Sequence, residues 1–475
     1  MKKFIVYVLE TAVICTAMII MTFCGIVLYP ENVFETSYQS VIQDKFRLLK
    51  ETNEPKIIII CGSNGAFGID QNMLEEATGY KVVNLGVHAG FMPLFPTELS
   101  KANINEGDIV LLAYEYEWGS EGQFTSIGTD LVMTGIDSDV ALYQYMPVRV
   151  WPSVLGNLGM YAYQKNTFES AEGVYSRESF DPKTGQMVLL RDDIFDEYHA
   201  NIYDFGTMDF FDWYVSDESA AYLRKYKSYV EKKGAEVYFV APPLLRESVI
   251  SDLGTVAAVK DMEEESVGIP YISDPIDYLY PETLMFNTIY HCNDRGEKER
   301  TRQLINDLNN AGIITIKNME EYQRDKDDQI VFEYDLEKYL NAINDTNYTV
   351  FLSIKDEGTS DLTEDMIKAM KKLGLRTDLT GRDGSSYYAV ISNEGIVEKV
   401  ADEQLEANGV IESLDLEYSM ISAGYACGNV SSIVINNVEY SRNMRGLNIV
   451  VYDNQKAEVI DSVCFDTFDG ADASR

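Results

Sequence analysis

An uncharged run from Thr11 to Tyr29 (TAVICTAMIIMTFCGIVLY), preceded by Lys2, Lys3 and Glu10 and closed by Pro30, constrains this chain more than any other feature. About 19 residues at roughly 1.5 Å each just cross a bilayer core of about 30 Å. A cleaved signal peptide is the alternative, but the run exceeds a usual signal core and no Ala-x-Ala-like site follows it. Phe23 stands before Cys24, where a lipoprotein would carry a small residue. The expectation is a signal anchor over residues 1–32 in the cytoplasmic membrane. Lysines before the span and acids after it orient the N-terminus inside and the bulk of the chain outside.

The remaining length matters next. A chain of 475 residues with 46% hydrophobic content can bury more than one core. Its net charge of −38 argues against nucleic acid as a partner, because phosphate binding needs clustered Lys and Arg, and it disfavours anionic polymers. Six scattered cysteines, two of them in the apolar run, do not make a disulfide framework, and Cys61 and Cys292 read as buried thiols. Nothing has zinc-site spacing, so neither a metal nor a cofactor is expected.

Apolar, β-branched strands are expected at Ile57–Ile60, Lys81–Asn84, Asp108–Ala113 and Ala235–Ala241, with helices at Tyr38–Lys50 and Asp217–Lys233. Strands alternating with helices predict a doubly wound α/β sheet over residues 33–318. The aromatic-rich stretch from Trp118 to Ser216 reads as an insertion covering the sheet's C-terminal edge. A second strand set is expected from about Ile330, in a mixed α+β domain over residues 319–475. It has strands at Tyr348–Lys355, Tyr387–Ile391, Ser431–Asn436, Leu447–Tyr452 and Glu458–Phe465 and a helix at Thr363–Leu373.

Three segments could carry chemistry. In IIIICGSNGAFGID, Ser63 stands on the turn leaving the first strand, where open α/β sheets place ligands. Its hydroxyl is a nucleophile only beside a base; otherwise Ser63 is a helix cap. In VVNLGVHAG, Gly86 lets backbone N–H groups approach a developing oxyanion, and His88 reads as a structural histidine. In FNTIYHCNDRGEKERT, His291 precedes a helix and has the setting of a general base, whereas His199 reads as a packing or surface residue.

Together these segments resemble the blocks of the SGNH/GDSL hydrolase superfamily, in particular extracytoplasmic acyltransferase-like members of the DltD and alginate O-acetylation type, over roughly residues 55–310. The resemblance implies a flavodoxin-like sheet, Ser63 as nucleophile, His291 as base, and an oxyanion hole from the N–H groups of Ser63 and Gly86. The sequence departs from the family at two places. Asn287 and Thr288 stand where an Asp usually precedes the histidine, with Asp274, Asp277 and Asp294 as possible substitutes. The third strand ends in Tyr-Glu-Tyr-Glu in place of an Asn-bearing block, leaving Tyr116 or Asn64 to supply a further donor.

Farther on, VFLSIKDEGTSDLTEDMIKAMKKLGL, RDGSSYYAV and RGLNIVVYDNQKAEVIDSVCFDTF resemble the interleukin-like EMT inducer (ILEI/PANDER) domain over about residues 330–468, with its two halves exchanged as in a circular permutation. That resemblance implies carbohydrate binding, with Asp356, Glu357, Arg382 and Asp466 as polar candidates that equally suit strand and turn caps. The two resemblances imply a cell-surface O-acyltransferase or esterase acting on an envelope polysaccharide or other glycan, with a multispanning membrane protein as acyl donor. The alternative is a non-catalytic scaffold or glycan-binding protein in polysaccharide assembly.

Overall fold

The computed structural model describes residues 2–475 except 325, 469 and 472, and divides into two compact units, residues 1–323 and 324–475. The first unit opens with helix α1 (Lys2–Leu28), whose stretch Lys3–Leu28 is long and apolar enough to cross a membrane as an anchor or to serve as a signal sequence.

Behind it, α2 (Val41–Glu51) leads to a four-stranded parallel sheet of β1 (Lys56–Cys61), β2 (Lys81–Asn84), β3 (Ile109–Ala113) and β4 (Glu236–Phe239), in the order β2-β1-β3-β4. Every residue of β1 is buried because the two-residue period sends alternate side chains into separate cores. Ile58 and Ile60 join Val83, Val110 and Leu112 on one face; Ile57 and Ile59 join Val82, Ile109 and Leu111 on the other. At the strands' N-terminal ends, fully buried Lys56 pairs with Asp108 at 2.8 Å. The sheet's C-terminal edge is where β1 turns into α3 (Ser63–Gly68). A short parallel pair, β5 (Leu244–Leu245) with β6 (Leu279–Tyr280), precedes the His291 loop and helix Asp294–Asn310.

The second unit carries a ten-stranded, largely antiparallel sheet. Its centre is β7 (Tyr348–Asp356), flanked by β8 (Ser386–Ser392) and by β14 (Gly446–Asp453). β9 (Gly395–Ala401), β10 (Leu405–Ile411), β11 (Leu416–Gly424), β12 (Val430–Ile435) and β13 (Val438–Glu439) continue it on one side, and β15 (Glu458–Phe465) and β16 (Ala473–Ser474) on the other. Helix Glu364–Lys372 is capped by the Thr363 side chain on the Met366 N–H. The strand expected near Ile330 is instead two short helices, Lys326–Val331 and Leu336–Ala342; Asp335 caps the second, and its buried Leu336, Tyr339 and Leu340 have helical spacing.

Candidate active site

Ser63 and His291 reach the wall of one cavity of about 520 Å³ at the C-terminal edge of the first unit's sheet. His88, Glu115, Glu117, Trp118, Tyr175, Thr288 and Tyr290 line it too. His291 is 6% exposed and stacks on Phe67, with ring centroids 4.0 Å apart and 3° between the planes. Its loop is pinned by the Phe286 N–H donating to the His291 carbonyl at 2.7 Å.

The imidazole is oriented by an amide. His291 Nδ1 lies 2.9 Å from Asn287 Oδ1, and Asn287 Nδ2 donates to the Tyr175 hydroxyl at 2.6 Å. The second contact turns the amide so that its oxygen faces the ring; Nδ1 then carries the hydrogen and Nε2 the free lone pair of a base. Burial, with smaller contributions from His88 and Arg191, lowers the His291 pKa to about 3. Asp294 is committed to Arg191, whose Nε and Nη2 donate to it at 2.9 and 2.7 Å, and Asp274 caps the turn at Ile276.

Of the expected oxyanion donors, Ser63 alone lines the cavity. The Gly86 N–H donates to Asn84 Oδ1 at 2.8 Å, and the Gly86 carbonyl accepts from buried Lys45 at 2.7 Å. Glycine is required there by close approach: a Cβ would lie 2.6 Å from Cys61 Sγ and 2.7 Å from the Gly62 carbonyl. Asn64 is fully buried, its side chain spanning the Ala113 carbonyl and Arg300 and its N–H donating to Glu115 at 3.2 Å. Tyr116 is buried edge-on against Phe210 and does not line the cavity.

Sequence reasoning named neither Glu115 nor Tyr175 as a site residue, and read His88 as structural. Glu115 puts a carboxylate against the Ser63 turn. His88 accepts from the Gly90 N–H on Nδ1 at 2.8 Å, which makes Nε2–H a donor in its neutral form, and burial lowers its pKa. Tyr175 comes from the insertion, as does His199, which bridges the Phe286 carbonyl and Glu282 at 2.9 Å each. The Tyr-Glu-Tyr-Glu run was a visible signal for Glu115; nothing local marks Tyr175. Burial pushes the Cys61 and Cys292 thiols up to about 12, as suits inert core residues.

In the second unit, Asp356 and Asp466 line a cavity of about 410 Å³ with Arg445, which pairs with Asp466 at 2.6 Å. The segments around Lys355 and Gly446 meet here, since Gly446 lies opposite Lys355 in the β7–β14 ladder. Glu357 is buried on the N–H and hydroxyl of Thr359 and on the Gly384 N–H, a turn-holding role, and Arg382 is exposed and does not line this cavity.

Residues 304–396 match the family model of the Interleukin-like EMT inducer. The match starts within helix Asp294–Asn310, includes β7 and β8, and leaves the segment around Gly446 outside. No curated protein matches this chain.

Proposed function

We propose that this protein is a membrane-anchored, cell-surface O-acyltransferase or esterase acting on an envelope glycan. The carrying observation is that Ser63 and His291 line one cavity while Asn287 holds His291 Nδ1 and leaves Nε2 as the base. In the proposed cycle, Ser63 Oγ attacks the acyl carbonyl as its proton passes to His291 Nε2. The proton then goes to the departing oxygen, leaving an ester on Ser63. Water or a sugar hydroxyl, deprotonated by the same nitrogen, releases the acyl group and regenerates Ser63. The Ser63 N–H and His88 Nε2–H are the donors offered to the oxyanion.

The SGNH/GDSL resemblance supports this reading through the chain order of Ser63, Gly86 and His291. The Interleukin-like EMT inducer match supports a glycan-holding role for the second unit, with the segment around Gly446 as the permuted half. For transfer, a multispanning membrane protein would deliver the acyl group to the outer face.

A non-catalytic scaffold is the second reading, and Glu115 favours it: a carboxylate on the Ser63 turn opposes an oxyanion, and Asn287 stabilises an imidazolium less than Asp would. A fluorophosphonate probe and p-nitrophenyl acetate, applied to the full chain, separate the two. Labelling and turnover that vanish in Ser63→Ala and His291→Ala support the enzyme; neither signal in the wild type removes it.

A further inference from the structure

Residues 3–22 of α1 are all exposed, and burial against the folded unit begins at Phe23. Twenty residues at about 1.5 Å each are about 30 Å long, the depth of a bilayer core, with Lys3 and Glu10 the charged residues among them. The rest of the helix is clasped by one part of the insertion. Phe23 packs on Tyr143 and Trp151 at 5.2 and 5.4 Å, and Lys165 Nζ donates to the carbonyls of Val27 and Pro30 at 2.7 and 2.8 Å.

That part of the insertion has an unusual composition. Acids number 77 in the chain, yet residues 140–168 contain none. Helix Leu158–Thr167 turns Tyr161 and Lys165 inward and leaves Met160 and Tyr163 exposed at 55% and 64%. Just upstream, Val148 is 86% exposed. Trp151, Tyr163 and Tyr29 have the amphipathic rings that settle at headgroup level. A stretch free of acids that exposes Val148, Met160 and Tyr163 suits a phospholipid interface, where every carboxylate would add a desolvation penalty and repulsion from anionic headgroups.

We propose that the 140–168 face is a membrane-seated platform: Val148, Met160 and Tyr163 lie in the headgroup–acyl boundary beside the exit of α1 and fix the first unit against the lipid surface. This rests on α1 being a retained anchor. Full-length protein in phosphatidylethanolamine–phosphatidylglycerol vesicles would carry p-benzoylphenylalanine in place of Val148, Met160, Tyr163, Ile14 in α1, or Glu76. The last is exposed on helix Gln71–Thr78, which packs on β2 and helix Asp294–Asn310. After irradiation, phospholipid adducts are expected at Ile14, Val148, Met160 and Tyr163 and not at Glu76. Adducts at Ile14 without any at the three platform positions overturn the platform and leave the anchor standing. No adduct at Ile14 removes the anchor reading itself. A protein adduct replacing lipid at the platform positions, or equal lipid yield at Glu76, also overturns the proposal.

Discussion

His291 sits in surroundings that keep it neutral, with a consequence for stability. Its pKa falls from the ordinary 6.5 to about 3 in the folded protein, so the unfolded chain binds the extra proton between those values. The stability difference is fully present above pH 6.5 and is lost as pH falls toward 3, a change of a few kcal/mol. Replacing His291 by Gln removes this component. The Tm advantage of wild type over His291→Gln is therefore expected to shrink steadily from pH 7 to pH 4, and a constant difference would refute the neutral imidazole. Glu115 yields a second prediction. If acyl transfer occurs, Glu115→Gln removes a charge that opposes the oxyanion, and kcat/KM for p-nitrophenyl acetate should rise by about tenfold. An unchanged or lower rate would mean that the carboxylate's hold on the Asn64 N–H matters more. The placement of Ser63 at the end of β1 and of His291 before a helix was legible, because both are local patterns. The occupation of the Gly86 N–H was not, since it depends on how Asn84, Cys61 and Gly65 pack around one another.

At the scale of elements, the insertion acts as a strap. Arg191 is 1% exposed and donates to the Phe67 carbonyl of α3 at 2.7 Å while pairing with Asp294 and Glu297 on helix Asp294–Asn310. It thus ties the element behind Ser63 to the helix after His291. Burial raises the Glu297 pKa even with Arg191 beside it. Arg191→Met would leave buried Glu297 and partly buried Asp294 without their cation and should destabilise the first unit by about 3–5 kcal/mol in denaturant unfolding. Adding Glu297→Gln should recover part of that loss; strictly additive losses would show that the two side chains do not interact. No sequence pattern announces such a lone arginine more than a hundred positions from Phe67. The strands divide on similar physical grounds. Ile57–Ile60 and Asp108–Ala113 were readable because both faces are buried, giving continuous apolar runs. β9 and β10 (GIVEKVA, LEANGVI) escaped because most of their residues are exposed or partly exposed, and polar side chains hide the period of two.

Over the whole molecule, each unit has apolar clusters of its own among the described residues. Ile58, Val110 and Leu112 belong to one cluster of the first unit and Ile57, Leu111 and Leu304 to another, while Phe351, Val390, Met420 and Val450 belong to the second unit. Cooperativity follows shared packing, so the units should unfold as separate transitions in calorimetry. Core truncations would identify them. Leu111→Ala and Phe351→Ala each empty a fully buried site and should cost about 2–5 kcal/mol. Leu111→Ala is expected to lower only the transition of the first unit and Phe351→Ala only that of the second. If either substitution moves both transitions equally, the units fold as one body, and a glycan-holding second unit would have to be reconceived as part of the same cooperative structure as the Ser63 cavity.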